Sequence, residues 1–278
     1  YPYESGSTAN MKQTLQEVLD DVQQINPLGA EDVVLDIGGN DGTLLSLIDS
    51  PVRARINIDA AAGVVQTVSD SDYQHIHAHF DAATYNSLGL PCPKLITSVA
   101  MFYHLSDPLT FVKDVVSIMG DETIWVLQMT YIGTMLRDNV LDNIVHEHVA
   151  YYSLLSVEGL LSLAGLHIAE ARLVESYGGS LRLFIVKKPD LFPKEFYRKD
   201  YPVIQQFEID NNTNSFEELF AFNSRIKLLK DSIKELVRYV SIESGPLWAF
   251  GASTKGNMLL QLIDADANQI PCILDNST

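Results

Sequence analysis

Three groups of residues in this 278-residue chain have the types and spacing to do chemistry. The first is Asp36-Ile37-Gly38-Gly39-Asn40-Asp41-Gly42, which follows a short apolar run. Glycines at such a place let the backbone bend tightly and approach a ligand with no Cβ in the way. The helix start that follows offers unpaired N–H groups to a carboxylate. Asp36 can balance an ammonium or sulfonium charge, and Asp59, at the end of the next strand-like run, stands where a ribose diol is held in nucleotide-binding folds. The second group is Asn143-Ile144-Val145-His146-Glu147-His148-Val149-Ala150-Tyr151-Tyr152-Ser153. Two histidines flanking a glutamate can supply a general base and a carboxylate to orient it. His104, within Met101-Phe102-Tyr103-His104-Leu105-Ser106-Asp107-Pro108, follows another strand-like run and can face the same pocket. The third group is Gly251-Ala252-Ser253-Thr254-Lys255-Gly256-Asn257, whose small residues, two hydroxyls and lysine suit a diphosphate.

Spacing separates the ligands these groups can take. A nicotinamide site needs Gly-x-Gly-x-x-Gly, whereas here the glycines are 38, 39 and 42, with an acid two positions ahead. Acid-x-Gly-x-x-x-Gly is the usual arrangement of S-adenosylmethionine-dependent methyltransferases, with Asn40 where many of them have glycine. S-adenosylmethionine is therefore the expected cofactor, held by Asp36, Gly38, Asn40, Gly42 and Asp59. No metal is expected: the histidine string lacks His-Glu-x-x-His, and no cysteine lies nearby. The loop at Gly251 lacks the Walker order of glycine, lysine and hydroxyl, so ATP hydrolysis is not implied. Each group also has a plain structural reading, as a strand-to-helix turn, a hydrogen-bonded loop histidine or a helix cap.

The elements that must position these groups alternate along the chain. Met11 to Ile25 has the apolar spacing of an amphipathic helix, stopped by Pro27 and Gly29. Val33–Ile37, Arg55–Asp59, Lys94–Val99 and Thr123–Leu127 read as strands, with helices over Thr43–Ile48 and Pro108–Met119. This rhythm predicts a mostly parallel α/β sheet with helices on both faces. A helix over Ser153–Ala164 precedes strands at Leu166–Val174 and Ser180–Lys187, an antiparallel pair expected to close one edge. Residues 189–202 read as a linker, and Ser215–Val240 as one long helix with Leu219, Phe222, Ile226, Leu229, Ile233 and Leu236 facing a core. A strand into Gly251, a helix and a strand at Ile273-Leu274 then suggest half of a further α/β domain. The expected division is an N-terminal segment and helix (1–28), a class I, Rossmann-like domain (29–188) and a C-terminal α/β domain (189–278).

The bulk numbers narrow the partners. A formal net charge of -17 repels phosphate backbones, so nucleic acid is not an expected partner. There is no unbroken apolar run of membrane-spanning length and no visible signal peptide, so a cytoplasmic enzyme away from membranes is expected. Cys92 and Cys272 read as two unrelated thiols. A start at Tyr1 and an end just past a strand-like run read as a segment of a longer protein.

Five motifs in one order carry a more specific resemblance. They are Asp36-x-Gly-Gly-Asn-Asp-Gly, Phe102-Tyr-His-Leu-x-Asp-Pro, His146-Glu-His-x-x-Tyr-Tyr-Ser, Gly178-Gly-Ser-Leu-Arg and Phe250-Gly-Ala-Ser-Thr-Lys-Gly-Asn. Together the chain resembles the sugar C-methyltransferases of deoxysugar biosynthesis, which act on nucleotide-linked 4-keto sugars. The resemblance implies a zinc module ahead of the methyltransferase domain, which this sequence lacks, and a C-terminal domain that helps hold a nucleotide-diphosphate sugar. It implies His148 as base with Glu147 beside it, and His104 and a tyrosine ahead of the core, Tyr1 or Tyr3, in the pocket. Of these, Tyr3 is assigned with the catalytic residues. Tyr1 goes with Ser253, Thr254, Lys255, Gly256 and Asn257 to the substrate. Many relatives have tyrosine just before His-Glu-His, where this chain has Val145. The other readings are an O- or N-methyltransferase of a small molecule, a non-catalytic nucleotide-sugar binder and, least favoured by the glycine spacing, a nicotinamide oxidoreductase.

Overall fold

A computed structural model of the protein describes residues 6, 9–61, 73–176 and 178–275. Tyr1 and Tyr3, named above, lie outside the described residues, as does the side chain of Thr254. The chain forms two compact units, one of residues 1–131 and 149–207, the other of 132–148 and 208–278.

The first unit is built on strands whose residues are apolar on both faces. Strand β1 (Val33–Ile37) is buried at every position, as a central strand covered by helices must be. With β2 (Ala54–Asp59), β3 (Gln74–His77), β4 (Leu95–Val99), β5 (Ile124–Thr130), β6 (His167–Val174) and β7 (Ser180–Val186) it forms a sheet of order β3-β2-β1-β4-β5-β7-β6. The first five strands pair in parallel, whereas β7 runs antiparallel to both β5 and β6. This is the expected fold class. Strand β3 was not anticipated: its Gln-His-Ile-His is polar because it lies at the sheet edge.

Helices cover the two faces. Helix α1 (Ala9–Ile25) presents Leu15, Val18, Leu19 and Val22 to one apolar cluster, which also takes in α2 (Thr43–Ser46). On the other face α4 (Pro108–Ile118) and α6 (Leu154–Ser162) supply Phe111, Val115, Val157 and Leu161 around Trp125, with short α3 (Ala82–Asn86) contributing Tyr85. Helix α1 is also held by charge. Arg182, in the Gly-Gly-Ser-Leu-Arg motif, is only 2% exposed; its guanidinium donates to Asp21 of α1 at 2.6 Å and to Gln128 of β5 at 2.8 Å. That motif is thus a structural clamp.

The stretch read as a linker is packed and not free. Phe192 is buried, and the fully buried Glu170 carboxylate of β6 accepts N–H bonds from Lys199, Asp200 and Tyr201 at the start of α7 (Tyr201–Asp210). Backbone donors at a helix start need an acceptor, and a buried carboxylate needs donors. By contact the compact units divide after Phe207, and α1 packs with the first.

The second unit contains α5 (Ile132–Asp138), a 3₁₀ turn over Leu141–Asn143, and α8 (Phe216–Ser244), capped by Ser215. It also contains a parallel pair, β8 (Trp248–Phe250) and β9 (Cys272–Leu274), joined through α9 (Thr254–Leu262). The stripe expected to be a core face on α8 is buried only at Phe222; Leu219 and Leu236 are exposed. A 29-residue helix spans roughly 43 Å, far more than the seven-residue α5 that packs on it. Both cysteines are free. Among the described residues no helix is long and apolar enough to cross a membrane.

Arg182→Met should lower the unfolding free energy by about 3 kcal/mol, because it leaves Asp21 a largely buried carboxylate with one cation fewer. Urea denaturation of the two proteins measures this directly.

Candidate active site

The turn after β1 is built from left-handed residues at every second position: Gly38 (φ 71°), Asn40 (φ 52°) and Gly42 (φ 70°). Asparagine is among the few side chains that tolerate this region, which explains how Asn40 replaces a glycine without changing the turn. Two positions admit no side chain. A Cβ on Gly42 would lie 2.1 Å from the Tyr73 ring, and one on Gly39 would lie 2.4 Å from an Asp36 carboxylate oxygen.

Hydrogen bonds from β2 hold the turn. The Asn40 N–H donates to the Asp59 carboxylate at 2.8 Å, and the Asn57 amide donates to the Asn40 carbonyl at 2.9 Å. Asp59 also accepts from the Ala61 N–H at 2.7 Å. Tyr73 closes the far side by donating to the Asp41 carbonyl at 2.6 Å. The structure therefore brings Asp36, Gly38, Asn40, Gly42 and Asp59 into one constellation. It adds Asn57 and Tyr73, which no motif flagged; a fully buried asparagine inside an apolar strand was the available signal for Asn57.

Asp36 is the electrostatic centre of this turn. It is 2% exposed and accepts a hydrogen bond from the Thr97 hydroxyl at 2.6 Å. Burial pushes its pKa up to about 7, and the charges of Asp59 and Asp41 add to the rise, against the lowering effect of Thr97. The Asn57 side-chain oxygen is buried without a hydrogen-bond partner and also faces Gly39.

Beyond β4, Phe102–His104 forms a 3₁₀ turn in which His104 is exposed and its ring meets Tyr103 edge-on at 4.6 Å. The N–H groups of Val149 and Ala150 both donate to the Tyr103 carbonyl, pinning the approach to α6 against that turn. Asp107 and Ser153 are helix caps, accepting from Thr110 and Ser156 respectively.

The second unit holds the other two groups. His146 and Glu147 are exposed and His148 is half-buried. The Nδ1 of His148 lies 2.8 Å from the Asn143 carbonyl. A carbonyl only accepts, so in the neutral ring Nδ1 carries the hydrogen and Nε2 is the basic nitrogen. A backbone carbonyl thus engages Nδ1. Lys255 reaches the same turn, 2.7 Å from an Asp142 carboxylate oxygen and 3.2 Å from the Asn143 side-chain oxygen. In its loop, Ser253 caps α9 by accepting from the Gly256 N–H at 3.1 Å, and a Cβ on Gly256 would lie 2.9 Å from the Gly251 carbonyl oxygen. The Ala252 N–H donates to Asp275.

Comparison with known proteins assigns this architecture. Residues 9–171 match the methyltransferase domain family, and residues 175–278 match the C-methyltransferase C-terminal domain. The chain belongs to the methyltransferase domain family. It is 24% identical over 269 residues to the C-methyltransferase NovU of Streptomyces niveus, covering 94% of this chain but 62% of that relative's length. Solved structures share the fold at a TM-score of 0.50. One is an S-adenosylmethionine-dependent methyltransferase from Clostridium acetobutylicum, 12% identical, covering 65% of this chain and 93% of that one. Another is a methyltransferase in complex with the Haloferax volcanii Trm112 methyltransferase activator, 13% identical, covering 65% and 95%. The cofactor of this methyltransferase is S-adenosylmethionine.

Asp36 has a consequence for stability in the ligand-free protein. Its folded pKa of about 7 lies above that of an unfolded aspartate, so the unfolded chain loses its proton first as pH rises. This group's contribution is intact below about pH 4. It then falls by up to about 4 kcal/mol as pH climbs to about 7. The difference in unfolding free energy between the parent and Asp36→Asn, followed by urea denaturation from pH 5 to 8, should decline over that window.

Proposed function

We propose that the protein transfers a methyl group to the carbon beside the ketone of a nucleotide-linked 4-keto deoxysugar. The observation that carries this reading is the His148 imidazole, whose Nδ1 is engaged by the Asn143 carbonyl so that Nε2 is the basic nitrogen. A carbon next to a ketone has a weakly acidic proton, and a positioned imidazole is suited to take it. The family assignment and the match to a C-methyltransferase support a carbon acceptor.

The turn at Asp36 fits a positively charged nucleoside. The charges of Asp59 and Asp41 add to the cost of ionising the buried Asp36, and a cation relieves that cost. Gly39 admits no Cβ, the Asn57 oxygen is an acceptor in search of a donor, and Asp59 keeps lone pairs for a diol. When bound, S-adenosylmethionine supplies an electrophilic methyl group on a sulfonium centre. The chain's own residues do the rest in this reading. Asp36 and Asp59 with Gly38, Asn40 and Gly42 hold the donor. His148 takes the proton from the carbon, and His104 and Tyr3 are assigned to the enolate oxygen, where a hydrogen-bond donor stabilises developing charge. Ser253, Thr254, Lys255, Gly256 and Asn257, with Tyr1, are assigned to the nucleotide diphosphate. Of Tyr1, Tyr3 and the Thr254 side chain, these roles rest on the resemblance alone.

Mass spectrometry of a panel of nucleotide-linked 4-keto sugars incubated with the protein and S-adenosylmethionine should show the gain of one methyl on at least one member. Carbon-13 NMR of the product should place the added methyl on carbon and not on oxygen or nitrogen, and no methylated sugar across the panel would refute the assignment. His148→Asn should lower single-turnover methyl transfer by about 100-fold or more while leaving cofactor affinity unchanged. Asp59→Asn should do the reverse, weakening cofactor binding in calorimetry about tenfold.

A further inference from the structure

The loop at Gly251 and the histidine string are far apart in sequence, yet one buried residue joins them within the second unit. Asn143 is 3% exposed. Its backbone carbonyl meets His148 Nδ1 at 2.8 Å, and its side-chain oxygen accepts from Lys255 Nζ at 3.2 Å. The neighbouring Asp142 carboxylate lies 2.7 Å from the same ammonium. Lys255 therefore grips two consecutive side chains of the 3₁₀ turn Leu141–Asn143 whose last carbonyl orients the imidazole.

We infer that Lys255 and Asn143 are positioning residues for His148: the ammonium holds the turn, and the turn's carbonyl selects the ring tautomer that leaves Nε2 basic. This rests on the reading of His148 as the base and extends it, because a lysine expected only to contact phosphate acquires a second task. An ammonium has three donors, so the bonds to Asp142 and Asn143 do not exhaust it. A short 3₁₀ turn has few internal bonds to resist displacement. A carbonyl that moves by an ångström no longer selects one ring nitrogen, and a misplacement of that size costs on the order of 100-fold in a positioned reaction.

Nitrogen NMR of protein labelled at its histidines reads this without substrate, with His148→Asn identifying the His148 signals. The parent protein should show His148 as the single Nδ1–H tautomer. Lys255→Met and Asn143→Ala should each give a tautomer mixture, Lys255→Arg should restore the single form, and the double variant should be no worse than either single one. With an accepted ketosugar, Lys255→Met should lower kcat between about tenfold and 100-fold. His148 signals unchanged in Lys255→Met, or a raised KM with kcat intact, would overturn the inference in favour of a phosphate contact alone. Lys255 is partly exposed, so its variants carry the test if Asn143→Ala fails to fold. The tautomer is read in the absence of any sugar, so failure of the sugar assignment and failure of this link give different results.

Discussion

A carboxylate buried at the end of the central strand sets the terms for the first unit. Asp36 must sit there with little water, one hydroxyl donor and two other carboxylates nearby, and its raised pKa records that cost. Everything around it accommodates the arrangement. Gly39 has no side chain because the carboxylate occupies the space, and Gly42 has none because Tyr73 does. Asn57 and Asp59 tie the turn to β2, so the glycine loop is held by a neighbouring strand and not by its own sequence. A cation placed beside Asp36 relieves that cost.

The same economy of donors and acceptors runs through the scaffold. Arg182 and Glu170 are fully or almost fully buried ions, and each is surrounded by partners. Arg182 fastens α1 across the antiparallel edge of the sheet. Glu170 fastens the start of α7. Burial of such groups gains little by itself, but removal of one partner strands the other, so these residues define where the chain must pass. Two of the ordered motifs that carry the family resemblance are accounted for in part by this demand: Gly178 to Arg182 as a clamp, and Asp107 as a helix cap.

In the second unit the equivalent role falls to Asn143. It lies in a short turn, where backbone and side chain can face different partners, and it serves His148 with one and Lys255 with the other. Glu147, the residue sequence proximity suggested as the orienting group, is exposed beside it.

Local order along the chain was legible in the residues themselves. Strand β1, the positions of β4 and β5, the antiparallel pair, the amphipathic face of α1 and the helix caps all follow from apolar periodicity and capping chemistry, which act over a few residues. The turn at Asp36 was legible too, because backbone conformation at glycine and asparagine is a local property. What required the tertiary structure was every pairing between distant segments. Asn57 against Asn40, Arg182 against Asp21, Glu170 against the start of α7 and Lys255 against Asn143 are separated by 17 to 161 residues. Hydrogen bonds and ion pairs of that kind depend on where the sheet and helices carry each group, and no spacing within one motif encodes it. The residues thus announced a glycine turn and a histidine string by type, while the fold decided which atom of His148 is held and by what.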